Sequence, residues 1–88
     1  MKLNENFVLR QVAGTWVVLP LSHDTVSFNG VIRLNSSALI LWKALEQGGD
    51  RENLVHALTS HYDVAPDQAA RDVDEFLRTL VKVGCLEI

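Results

Sequence analysis

A single cysteine, Cys85, stands in a chain of 88 residues. It can form no internal disulfide, so the fold must rest on an apolar core, and the usage agrees with a reducing compartment. Long apolar runs are also missing. The longest, Ala38 to Trp42, falls far short of the roughly 20 residues that cross a bilayer. The first six residues turn polar at once and carry no apolar signal segment, so a cytoplasmic protein is expected, with no membrane partner. Positive charge is scarce. Eight Lys and Arg against eleven Asp and Glu leave a formal net charge of −3, without the basic stripe of a nucleic-acid binder. No glycine-rich phosphate loop is present, since Gly48-Gly49 lacks a following Lys-Ser/Thr. What the chain does have is apolar substance: 48% of its residues, enough for a small core, with the length of one domain spanning 1–88.

That apolar content is patterned in two periods. Phe7–Val12 and Thr15–Pro20 are rich in β-formers and flank Ala13-Gly14, which predicts a hairpin. Val26, Phe28, Gly30, Ile32 and Leu34 then alternate with Ser27, Asn29, Val31, Arg33 and Asn35, a third strand with one face on a core. Helical spacing takes over after Asn35-Ser36-Ser37, which offers N-caps to a helix over Ala38–Gln47 that stops at Gly48-Gly49. Asp50 caps a second helix over Arg51–His61, and Pro66 opens a third that reaches about Val83 before Gly84. Leu86–Ile88 reads as a short terminal strand. Strands followed by helices predict an α+β fold, a three-stranded antiparallel sheet with three helices on one face.

Catalytic chemistry finds no foothold in this pattern. His56 and His61 lie five apart, about 140° around a helix, and so do not form a metal-binding i,i+4 pair. His23 sits in a loop. Cys85 lies between apolar neighbours and reads as a small core residue. Asp72, Asp74 and Glu75 share a helix with Arg71 and Arg78, the pattern of a solvated, ion-paired face. Neither an enzyme nor a cofactor or metal site is expected. Two other features stand out. The third strand lies at a sheet edge if the strands pair in sequence order, and an open edge accepts an added strand, whether from a peptide or from a second copy. The third helix carries an apolar arc (Ala69, Val73, Phe76, Leu77, Leu80 and Val83, widened by Ala70 and Val81) of about 160°, broader than a core stripe needs. The first helix has a second apolar face at Ile40 and Ala44, a candidate docking site for a partner.

The order and spacing of several stretches resemble the PqqD-like proteins, also described as RiPP recognition elements. The matching segments are Phe7–Gly14, Phe28–Asn35, Ala38 with Trp42, the end of the second helix at Tyr62-Asp63-Val64, Asp72–Leu77, and Gly84-Cys85-Leu86. Ala65 departs from the pattern, where similar sequences often place a capping Asp or Ser before the proline. The resemblance implies a winged-helix-like fold and a non-catalytic role. Such proteins bind the leader of a ribosomally made precursor peptide and present it to a modifying enzyme, commonly a radical SAM protein. It also implies that the leader lies as an added strand along Ser27, Phe28, Asn29, Gly30, Val31, Ile32, Arg33 and Leu34. One flank of the third helix would wall the groove: the favoured one holds Asp72, Phe76, Thr79 and Val83, and its competitor, which periodicity alone does not exclude, holds Ala70, Asp74, Leu77 and Val81. Asp72 and Glu75 would face basic leader residues and Arg33 acidic ones. Two alternatives stand beside this reading: a winged-helix DNA-binding module, for which the helices carry little positive charge, and an assembly subunit of a biosynthetic complex.

Overall fold

The computed structural model describes residues 1–21 and 32–87. In chain order the elements are β1 (Lys2–Leu3), β2 (Phe7–Val12), β3 (Thr15–Pro20), β4 (Ile32–Leu34), α1 (Ser36–Glu46), α2 (Arg51–His61), α3 (Pro66–Lys82) and β5 (Leu86–Glu87). The expected third strand is described only from Ile32 onward, and Ser27 to Val31 lie outside the described residues. Strands β2, β3 and β4 form an antiparallel sheet in that order, and this is the α+β fold that the pattern predicted. A second pairing, β1 with β5, was not foreseen from sequence, because two-residue strands carry no readable alternation. Asn4 locks it, donating from its backbone N–H to the Cys85 carbonyl (2.7 Å) and from its side chain to the Gly84 carbonyl (3.2 Å).

The hairpin turns in two residues, since Val12 pairs with Thr15. Ala13 and Gly14 both have positive φ, 51° and 79°, as the tight turn that matches strand twist requires. Glycine adopts this at no steric cost, whereas the Cβ of Ala13 is crowded there. Ala13→Asn is therefore expected to raise stability by about 0.5–1 kcal/mol, because asparagine tolerates the left-handed region. Thermal denaturation checks this, with no gain as the contrary result.

The helix ends follow local chemistry. Asn35 caps α1 by accepting from the Ala38 N–H at 2.9 Å. Asp50 and Asn53 cap α2 reciprocally, each side chain accepting from the other's backbone at 2.9 Å. No side chain caps α3 at Ala65. Its far end closes at Gly84 (φ 86°), where the Gly84 N–H reaches the Val81 carbonyl (3.1 Å) and the Cys85 N–H reaches that of Leu80 (2.9 Å). That turn drops Cys85 into the core beside Leu80, both fully buried, and launches β5.

One core joins these pieces. Phe7, Val18 and Leu34 from the sheet meet Leu41, Trp42 and Leu45 of α1, Leu54 and Leu58 of α2, and Ala69, Val73, Leu77 and Leu80 of α3. Cross-strand partners share a face, so Phe7, Leu9, Trp16, Val18, Ile32 and Leu34 turn toward the helices. The other face carries Val8, Arg10, Val12, Thr15, Val17, Leu19 and Arg33.

A strand edge beside a groove on the third helix

β4 follows β3 at the end of the sheet order, so one side of its backbone has no strand partner among the described residues. Its three residues divide by parity. Ile32 and Leu34 pack into or against the core, while Arg33 is exposed on the opposite face, in register with Val17. Directly after β4, Asn35 and Ser37 begin one rim of a groove of about 350 Å³. Its floor is Ala38, Leu41 and Leu58, and its far wall is Asp72, Glu75, Phe76 and Thr79 of α3. An adjoining hollow of about 320 Å³ continues past Ser36, Tyr62 and Val64 and shares Asn35, Ser37, Leu58 and Asp72.

These wall residues occupy one flank of α3 because of helical period: 72, 76 and 79 recur at three and four residues. Phe76 is half-buried against the core, and Asp72, Glu75 and Thr79 are exposed. Gln68 donates to one Asp72 oxygen at 2.8 Å, which leaves carboxylate lone pairs available. Thr79 turns its hydroxyl to the Glu75 carbonyl (3.0 Å), so its methyl is the part left to line the groove. Val83 is not among the groove-lining residues and instead packs, half-buried, against the core.

On the opposite flank of α3, Leu77 and Asp74 are engaged within the fold, while Val81 is exposed. Leu77 is buried, and Asp74 accepts two hydrogen bonds from Arg51 of α2, from Nε at 2.6 Å and Nη2 at 2.9 Å. Hydrogen bonding to Arg51 holds the Asp74 carboxyl below the usual range and raises the Arg51 guanidinium. Because the folded-state value of Asp74 is depressed, the pair's contribution is present at neutral pH and is lost as pH falls through that lowered value. Both groups are well exposed, so solvent screens the contribution. The pairing also leaves α2 without a free arginine or lysine, which weighs further against a DNA-reading helix.

The other described positions singled out lie away from this groove. Ala44 is half-buried against the core, and Ile40 is half-buried on the same helix. His56 and His61 are exposed, each bonded within α2: His56 Nδ1 lies 3.3 Å from Ser60 Oγ, and His61 Nδ1 lies 2.8 Å from the Ala57 carbonyl. His23 lies outside the described residues. No cluster of three or more metal-ligating side chains occurs among the described residues. Burial pushes the Cys85 thiol up to about 11, far from a reactive thiolate. No described helix is long and apolar enough to cross a membrane. A larger pocket, about 440 Å³, lies at the other end of α1 against Lys2, Leu3, Trp42 and Glu46. The strands near it, β1 and β5, are two residues each and too short to hold an added strand.

Sequence reasoning pointed to the α3 wall but not to the groove's other half. Asn35 was legible as a cap, and Ala38 and Leu41 as core. That they also line a groove follows from α1 starting one residue after β4, a proximity that spacing alone does not reveal as a cavity.

Comparison with known proteins gives one family and one solved structure, each matching most of the chain. The family described as coenzyme PQQ synthesis protein D (PqqD) matches residues 15–86. A solved structure described as TbiB1 in complex with the TbiA(beta) leader peptide superposes with a TM-score of 0.82 at 28% sequence identity, covering 99% of this chain and 95% of that one. No curated protein matches.

Proposed function

The chain belongs to the PqqD family, and from that premise we propose that it binds the leader of a ribosomally made precursor peptide and presents it to a modifying enzyme. The observation that carries the reading is a β4 edge without a strand partner among the described residues, followed at once by Asn35, where an apolar-floored groove walled by α3 begins. TbiB1, solved with a leader peptide bound, supports it at 28% identity over nearly the full length. The physical division of labour is simple. Unpaired backbone groups of β4 supply hydrogen bonds to any extended peptide, and the groove beside them selects side chains. The leader is read as running along Ser27 to Leu34, with Asp72, Glu75, Phe76 and Thr79 as the wall, and Val83 packs half-buried against the core instead.

Ordering a flexible leader costs entropy, which offsets part of the contact energy and keeps such binding reversible. A carrier that hands its cargo to an enzyme needs that reversibility. The enzyme is read as a radical SAM protein, on the strength of the family resemblance. Ile40 is the residue left for docking it, since Ala44 is already packed. Ile40→Glu is expected to leave peptide affinity unchanged and to weaken co-elution with the enzyme; unchanged co-elution would remove that surface from the account.

Calorimetric titration with the leader segment of a ribosomally made precursor peptide tests the main reading. Saturable binding with a negative heat-capacity change is expected, and a scrambled peptide should bind at least about tenfold more weakly. Equal binding of the scrambled peptide would overturn it.

A further inference from the structure

We infer that the site reads the charge of its peptide by strand parity: cationic side chains on the face toward α3, and an anionic side chain on the intervening position. The inference rests on the proposed addition of a peptide strand at β4 and goes further by stating which peptides that edge accepts. Directly opposed residues of neighbouring strands share a face, about 4.5–5.5 Å apart at Cβ. A peptide residue opposite Arg33 therefore lies on the outward face, next to its guanidinium. Peptide residues opposite Ile32 and Leu34 lie on the inward face, toward the groove bordered by Asp72 and Glu75.

Each side of this edge carries one sign of charge. On the outward face Arg33 lies across Val17 from Arg10, and of the described strand residues on that face none is acidic. On the inward face the groove's two charged residues are both carboxylates, set on a floor of Ala38, Leu41 and Leu58. Among the described residues the one ion pair is Arg51 with Asp74, so Arg33, Asp72 and Glu75 make no ion pair, and Asp72 is bonded to Gln68, which in turn accepts from Arg71. An inward peptide position thus suits an aliphatic or aromatic body on the floor, with a Lys or Arg at the next inward position reaching the carboxylates. The outward position between them suits Asp or Glu. A peptide of the reversed pattern would meet like charge on both faces.

Selection of random dodecapeptides by display against the full chain tests this, run in parallel against Arg33→Glu and against the double variant Asp72→Lys, Glu75→Lys. All three substituted side chains are exposed, and circular dichroism verifies that the variants fold. Peptides enriched on the unaltered chain should carry Lys or Arg two positions from an apolar residue, with Asp or Glu between. The acidic preference should invert on Arg33→Glu and the basic preference on the double variant. Synthetic peptides of matched and reversed charge should differ about five- to tenfold in affinity at low salt, and less at high salt. Enriched peptides without a charge pattern, or with the same pattern on all three proteins, would overturn the parity rule while leaving peptide binding intact. No enrichment at all would overturn strand addition itself, and the rule with it.

Discussion

Replacing Trp42 with alanine is expected to remove about 3–5 kcal/mol of stability. A chain of 88 residues has roughly 4–13 kcal/mol in total, so this variant should be partly or largely unfolded at 37 °C. Trp42 is 1% exposed and belongs to the core shared by the sheet and the helices, so removing its ring leaves a cavity that close-packed neighbours fill only in part. Its indole N–H has no protein acceptor among the described residues. That group already carries a desolvation cost of about 1–3 kcal/mol, which Trp42→Phe would relieve. The smaller ring leaves a void that costs a similar amount, so Trp42→Phe should lie within about 1.5 kcal/mol of the parent. Urea denaturation of both variants checks the pair. If alanine and phenylalanine prove equally damaging, packing around the indole is not what holds this core.

The second large effect concerns binding. Phe76 supplies the main aromatic surface of the groove wall, and truncating such an anchor typically costs about 1.5–2 kcal/mol, or 10–30-fold in affinity. Phe76→Ala should therefore weaken leader binding by about that factor, with a stability loss of about 1–2 kcal/mol because the ring is half-buried. Val81 lies on the other flank of the same helix and is 40% exposed. Val81→Ala should leave affinity within about twofold. Titration calorimetry on both variants, with denaturation curves to separate folding from binding, discriminates the flanks. A larger loss from Val81→Ala would move the site to the opposite side of α3.

Much of this fold was legible before any coordinates. The hairpin follows from two β-rich runs about Ala13-Gly14, and the helix starts follow from Asn35, Asp50 and Pro66, whose local chemistry acts within three or four residues. The β1–β5 pairing was not legible, because it joins residues more than eighty apart through two-residue strands whose partner is fixed by the turn at Gly84. The choice between the flanks of α3 was also beyond periodicity. Asp72 and Asp74 look alike in sequence, and only the position of Arg51 on the packed α2 engages one and leaves the other on the groove. The resemblance to PqqD-like proteins implies a peptide-binding edge. The packing of three helices on one sheet identified which side chains border the cavity.

The central claim is that a peptide joins the sheet at β4 beside the Phe76 flank of α3. Amide chemical shifts of the isotope-labelled chain, followed through a titration with the leader peptide, test it most directly. The account predicts saturating shifts at Ile32, Arg33 and Leu34 and along Asp72 to Thr79, with slowed amide exchange on β4 as its free groups become paired. Saturating shifts confined to α2 or to the β1–β5 pair, with β4 unmoved, would contradict it.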